Sequence, residues 1–278
     1  MKPINHLVIA ARDLDRLGDA YREIGFTTTP RGQHPFGTGN IVIQLHGTYL
    51  ELLAVTRPED VVEHRGNQFS FSAFNRDYLA GREGMSMLVF DSDDAAADSE
   101  RWKRAGLRTY DPFGFSRGAK LPNGEEITVG FSLAFTSLDA APWLGVFACQ
   151  HLRPDYYSQP DYLRHSNTAH SVHDVWISGE DALALESPLS ILAESAPRYF
   201  PGLVRIQTAG QTIVLATPDE FEREFGLPPP HAEDGPHLSG FGVTCASAPP
   251  FGSPPRHIVP PDRTFGCIVS FVPVPADG

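Results

Sequence analysis

Apolar residues run without interruption over residues 4–10 and then recur at Leu14, Leu17, Ala20, Tyr21 and Ile24 before Gly25. The first pattern is that of a buried strand. The second is one face of a helix, with Asp13 ahead of it and Gly25 closing its last turn. A short strand at 26–29, a Gly/Pro-rich loop over 30–39 and two apolar runs at 41–45 and 49–55, parted by His46-Gly47-Thr48, complete a βαβββ unit. The same order returns with a strand at 85–90, helical spacing over 93–105 ended by Gly106, and strands at 108–110, 127–135 and 144–152. The helix ends carry the repeat in their letters, REIGF at 22–26 and KRAGL at 103–107. A looser third copy is predicted from strands at 172–177, 204–208 and 211–216 around a helix at 188–195, and 238–245 with 266–272 read as the remains of a fourth. Segments 227–236 and 249–261 read as connections. Residues 58–83 read as a linker whose Phe69, Phe71, Phe74 and Tyr78 predict that it packs on the body.

Composition narrows the partners. A chain of 278 residues that is 41% hydrophobic can bury a core, and its 25 Gly and 25 Pro are scattered without the period a collagen would need. With 22 basic against 34 acidic residues the net charge is −12, which argues against tracking a phosphate backbone, so no nucleic-acid partner is expected. Three cysteines without close pairing fit a reducing compartment. The N-terminal apolar run is too short for a signal segment and no stretch is long enough to span a bilayer, so a cytoplasmic protein with no membrane partner is expected. Phosphate-loop and dinucleotide motifs do not occur.

A four-stranded sheet with one helix leaves a face uncovered, and two such units side by side cover it by curving into an incompletely closed barrel. The predicted fold is therefore α+β, with tandem βαβββ units forming a curved, mixed β-barrel and helices outside. Residues 1–170 would form the first domain, from units at 1–57 and 84–154, and residues 171–278 a degenerate C-terminal half. Within the first unit His6 and Glu51 sit in apolar strands, where an imidazole and a carboxylate are costly to bury without a partner.

The runs NHLVIAARDLD at 5–15, TPRGQHPFGTGN at 29–40 and YLELLAV at 49–55, with CQHLRP at 149–154 and RHSNTA at 164–169, resemble the glyoxalase-like domain proteins of the vicinal oxygen chelate superfamily. That superfamily also holds bleomycin-resistance proteins and extradiol dioxygenases. The resemblance implies a divalent metal ion, zinc, iron, manganese or nickel, bound on the cavity floor by first-strand and fourth-strand residues of paired units. His6 and Glu51 match the two ligands of the first unit. In the second, aligning the capping glycines puts Met87 at the place of His6, with Ser86 beside it, and neither is a ligand. The fourth strand offers Gln150 and His151, which are adjacent and so point to opposite faces. If His151 faces the cavity, a His6, Glu51 and His151 set with open positions results; if Gln150 does, the set is weaker.

Polar groups beside glycines make Arg31, His34 and Asn40 candidate substrate-binding residues at the rim, with turn chemistry as the structural alternative. Gln150, His165 and Asn167 are further candidates for substrate contacts or for structural roles. The resemblance implies a small-molecule substrate and three activities. The first is a metal-dependent lyase or isomerase in which His6 and Glu51 are catalytic and Glu51 moves a proton between adjacent carbons. An extradiol dioxygenase using iron is the second, and a metal-free small-molecule binding protein the third. The cup closes either within one chain or across a homodimer.

Overall fold

A computed structural model describes residues 1–121, 123–246 and 256–274. The first unit consists of β1 (Ile4–Ala10), α1 (Leu14–Glu23), β2 (Gly32–Gln33), β3 (Thr38–Leu45) and β4 (Thr48–Val55). Asp13 caps α1 by accepting the Asp15 and Arg16 amides, and Gly25 follows the helix at φ 92°, a left-handed geometry that suits glycine. After the linker helix α2 (Phe71–Gly81), the second unit consists of β5 (Gly84–Asp91), α3 (Ala95–Arg104), β6 (Arg108–Thr109), β7 (Phe113–Lys120), β8 (Glu126–Ser137) and β9 (Gly145–His151). The two units share one mixed sheet of nine strands in the order β2-β3-β4-β1-β5-β9-β8-β6, with β7 paired to β8. This is the open, curved α+β architecture the repeats predict.

The rest of the chain repeats the plan with β10 (Val172–Ser178), α4 (Glu186–Ala193), β11 (Pro197–Phe200), β12 (Leu203–Gln207) and β13 (Thr212–Ala216). Then come α5 (Pro218–Phe225), β14 (His237–Ala246), β15 (His257–Val259) and β16 (Ile268–Val274). Its seven-stranded sheet runs β11-β12-β13-β10-β14-β16-β15. The predicted connection at 249–261 lies partly outside the described residues.

Four local expectations change. Residues 26–29 form no strand: Phe26 is buried in the core and the Thr29 amide donates to the Val42 carbonyl, while the edge strand lies at 32–33. The stretch 71–81, read as linker, is helical because Ser70 caps it by accepting the Ala73 amide. Residues 113–120 form a strand that pairs along β8, and 218–225 form a helix opened by Thr217 and Pro218.

Strand alternation separates two surfaces of each sheet. From β1, Leu7 and Ile9 join a core that also takes Val175 and Ile177 of β10, Tyr21 of α1, Trp102 of α3 and Leu189 of α4, so both sheets share one apolar interior between their backs. Val8, Leu53, Met87, Phe131 and Phe147 face the other way and line the concave face of the first sheet. Trp176, Val214, Phe221 and Phe225 do the same in the second.

Candidate active site

Parallel pairing of β1 with β4 sets His6 opposite Tyr49 and Val8 opposite Glu51, so His6, Tyr49 and Glu51 share the concave face of the first cup. β3 adds Asn40, whose Nδ2 donates to Glu51 Oε1 at 2.6 Å. His34 follows β2; its Nδ1 lies 2.8 Å from Thr38 Oγ1 and its ring stacks on Phe36. The two imidazoles flank the carboxylate, His6 Nε2 at 3.6 Å from Oε2 and His34 Nε2 at 3.6 Å from Oε1. All three side chains are buried. At that separation the groups face one another without being hydrogen-bonded.

One amide sets the orientation of His6 from behind. Asn5 Nδ2 donates to Asp91 Oδ1 at 2.7 Å, which turns its Oδ1 towards His6 Nδ1 at 2.7 Å and His151 Nε2 at 3.0 Å. An amide oxygen only accepts, so His6 carries its proton on Nδ1 and presents the lone pair of Nε2 to Glu51. Burial, aided by the charges of His151 and His34, holds His6 well below the usual imidazole range. Burial also takes His34 down to about 3, with the Arg117 charge adding to the effect, and His151 down to about 4. The Glu51 carboxyl is pushed up to about 6 by burial, against the hydrogen bond from Asn40 and the charge of Arg117. Near neutral pH the floor therefore carries a buried carboxyl, held near 6, between two uncharged imidazoles.

A chamber of about 30 Å³ opens above these groups, with Phe36, Phe71 and Phe115 on one side and Tyr49 and Tyr157 on the other. The three phenylalanines also wall an outer groove of about 330 Å³, and the two tyrosines a second of about 340 Å³. His6 stacks on Tyr49 at 4.4 Å and Tyr49 on Tyr157 at 4.5 Å, so the imidazole is clamped in an aromatic column.

Members of the superfamily often hold a divalent metal, but the residues of this cup do not fit one. With Met87 at the place of His6, the pairing of Met87 with Gly145 and of Val89 with Phe147 puts Phe147 at the place of Glu51. The second unit thus brings two apolar side chains to its ligand positions, and the Phe147 ring lies edge-on to His6 at 5.6 Å. His151 does lie on the concave side, as its alternation with Cys149 and Phe147 requires, yet its Nε2 is committed to Asn5 and it borders the outer groove behind Tyr49 and Tyr157. Among the described residues, the one group of three His, Cys, Asp or Glu with ligand atoms within 4.8 Å of one another is His231, Glu233 and Asp234, at the surface. His6, Glu51 and His151 are not brought together as a ligand set.

Other residues singled out by the sequence stand outside the chamber. Gln150 points to the helix side, where its Oε1 accepts the Ala95 amide and its Nε2 donates to the Asp93 carbonyl, tying down the start of α3. Arg31 is exposed and pairs with Asp15 at 3.2 Å. His165 bridges the Thr27 amide and the Gln44 carbonyl, and Asn167 holds the Ile24 carbonyl and the Ala169 amide; both fix the chain around Gly25. These four perform structural jobs, whereas His34 and Asn40 belong to the floor. Sequence reasoning missed Asn5, Tyr49 and Arg117. The alternation Phe113, Phe115, Arg117 on β7 was a legible signal for the last, since every second residue of a strand shares a face.

Paired βαβββ units around an open cup with an acid and imidazoles on its floor define the vicinal oxygen chelate fold. The sequence matches the family described as Glyoxalase-like domain over residues 4–192, and the chain belongs to that family. No curated protein matches it. Among solved structures it is similar to a hypothetical protein from Staphylococcus aureus, with a TM-score of 0.72 and 14% identity over 99% of this chain and 100% of that one. It is also similar to a xylose isomerase-like TIM barrel/4-hydroxyphenylpyruvate dioxygenase fusion protein, with a TM-score of 0.54 and 13% identity over 88% of this chain and 36% of that one. Methylmalonyl-CoA epimerase from Streptomyces coelicolor aligns at a TM-score of 0.37 and 22% identity over 54% of this chain and 97% of its own. The first two likenesses concern the fold. No helix among the described residues is long and apolar enough to cross a membrane.

Proposed function

We propose that the first cup is the site of a glyoxalase-like enzyme that moves a proton on a small oxygenated substrate, an isomerase or lyase, and that it does so without a metal bound by the second unit. In this reading residues 1–170 carry the site and residues 171–278 form a degenerate half. One observation carries it: Glu51, buried with a carboxyl pushed up to about 6, faces the lone pair of a neutral, oriented His6. Such an acid accepts and returns protons near neutral pH.

In the proposed step Glu51 Oε2 takes a proton from the carbon next to a carbonyl, and the C–H electron pair moves into an enolate. Protonated Glu51 then returns the proton to the neighbouring carbon, or a leaving group departs from it. Neutral His6 Nε2 accepts a hydrogen bond from the protonated acid, and Asn40 holds Oε1 so that Oε2 is the moving partner. The aromatic column keeps water away from the intermediate.

Solvent deuterium exchange into 2-oxobutanoate, followed by NMR, tests this reading. Catalysed exchange should rise with pH through about 6 and level off above it, as the carboxylate form of Glu51 accumulates. Glu51→Gln should lower it at least 100-fold, within the usual range for loss of a general base of about 100- to 10,000-fold. Elemental analysis of chelator-free protein should find no stoichiometric metal. One bound ion per chain that disappears in Glu51→Ala would overturn the metal-free form of the proposal.

A binding protein that sequesters a small molecule is the second reading, favoured by the predominantly aromatic lining of the chamber. Tight binding with no exchange would support it instead.

A further inference from the structure

Arg117 has no place in the reaction above, yet it is the least satisfied charge near the cup. It sits on β7, two residues beyond Phe115 on the same face and paired with Val129. Its residue is nine-tenths buried, with 9% of its surface exposed. Among the described residues its guanidinium makes a single hydrogen bond, from Nη1 to the neighbouring Gly118 carbonyl at 3.2 Å, and Nε is buried with no partner. Among the described residues no carboxylate comes within 4.0 Å of it. A guanidinium has five N–H donors, and leaving the Nε–H among them dry and unpaired is costly.

The surroundings show where that charge is directed. Gly32 gives it room, because a Cβ there would stand 3.3 Å from Nη1 and 2.5 Å from Asn40 Oδ1. Its field reaches Glu51, His34, Tyr49 and Tyr157, which all line the chamber. Glu51 cannot serve as its partner, since Oε1 is already held by Asn40 and the carboxylate lies beyond ion-pair range. The charge therefore stands on the Gly32 and Asn40 side of the chamber, next to its lining rather than within it, and among the described residues no carboxylate pairs with it.

Building on the proton-transfer reading, we propose that the substrate is itself an anion, a small 2-oxo or related carboxylic acid, and that Arg117 is the residue that binds its carboxylate. A planar guanidinium matches a carboxylate with two parallel N–H···O bonds, and in a dry site such a pair is stronger than in water. With the carboxylate anchored at β7, the carbonyl and its neighbouring carbon reach inward towards Glu51. Phe36, Phe71 and Phe115 take the apolar remainder and admit the ligand from the outer groove.

Binding is measured by calorimetry for 2-oxobutanoate, benzoylformate and phenylpyruvate, each against its uncharged primary amide. At least one acid should bind the wild type tenfold or more tightly than its amide. Arg117→Gln should erase that preference, and Arg117→Lys, which keeps the charge but loses the fork, should retain part of it. Glu51→Gln should bind the acid at least as well as the wild type, since it removes a like charge. Equal affinities for acid and amide, no binding by any acid, or a preference that survives in a cooperatively folded Arg117→Gln protein would each overturn the proposal. Because the acid and amide comparison is made on the wild type, it holds even if a variant fails to fold. Selective binding of an acid without deuterium exchange would leave the anion site standing and remove the proton-transfer reading.

Discussion

The two cups are built on the same register and filled in opposite ways. In β1 and β5 the pairing shifts between Ile4 and His6 and again between Val8 and Ile9; in β10 and β14 it shifts between Val172 and Asp174 and between Trp176 and Ile177. Asp174 therefore occupies the place of His6, and because Trp176 pairs with Val214 as Val8 pairs with Glu51, Val214 occupies the place of Glu51. The second cup answers its buried acid from within. Arg256 pairs with Asp174 at 2.8 and 3.3 Å, donates to Ser270 Oγ at 2.8 Å and reaches Glu224 of α5 at 3.2 Å. Phe221 and Phe225 of α5 fill the remaining space against Trp176. In the first cup, by contrast, the acid faces two neutral imidazoles and an opening, and the guanidinium stands aside without a carboxylate. The same scaffold becomes a plug where the chain pairs its buried acid with a guanidinium, and stays open where the two are kept apart.

The largest effect should come from unbalancing the plug. Arg256→Met leaves Asp174 buried without a counter-charge and should cost about 3–5 kcal/mol in urea unfolding, with most of the loss recovered in the Asp174→Asn, Arg256→Met double variant. A double variant no more stable than the single would show that Arg256 acts by packing. Next, Phe221→Ala should cost about 3 kcal/mol by emptying the second cup, with little change in deuterium exchange at the first. Lost exchange in a well-folded Phe221→Ala protein would mean that the cups are coupled.

Glu51→Gln should have the opposite sign. A carboxyl whose folded value is about 6 binds protons more readily in the native state than in the unfolded chain, so its contribution to stability is fully present below about 4.3 and is lost as pH rises through 6. The variant should therefore be more stable than the wild type by about 2 kcal/mol at pH 7.5 and gain little at pH 4, as read by thermal unfolding at both pH values. A variant destabilised at pH 7.5 would show that Glu51 is better solvated than its burial suggests. The smallest effect is expected at Arg31, whose pair with Asp15 is solvent-exposed. Arg31→Ala should change stability by no more than about 0.5 kcal/mol and leave ligand affinity unchanged.

Much of the fold is legible in the sequence because its strands are continuous apolar runs and its helices are bounded by recognisable caps, Asp13 before α1 and Gly25 and Gly106 after α1 and α3. The strand β7 escapes because Gly114, Ser116 and Gly118 break its apolar run, and only the alternation of Phe113, Phe115 and Arg117 betrays it. Helix α2 escapes because its aromatic residues also suit a packed linker. For the site, His6 and Glu51 are visible as polar residues in apolar strands, and His34 and Asn40 as polar groups beside glycines. Whether His151 or Gln150 faces inward could not be read, since that depends on the pairing of β9 with β8. The structural duties of His165 and Asn167 are equally hidden, because they answer backbone groups around Gly25 that are distant in sequence.

The apolar interior held in common by the two sheets has a consequence for how such a chain can change over generations. Leu7 and Ile9 share one apolar interior with Val175 and Ile177, so the second half shelters the first whether or not it binds anything. Substitutions in its plugged cup are free to drift as long as they compensate one another, while those on its back are answerable to the first half. A gene shortened after residue 170 would not yield a smaller version of the protein, but one with the back of its first sheet open to water.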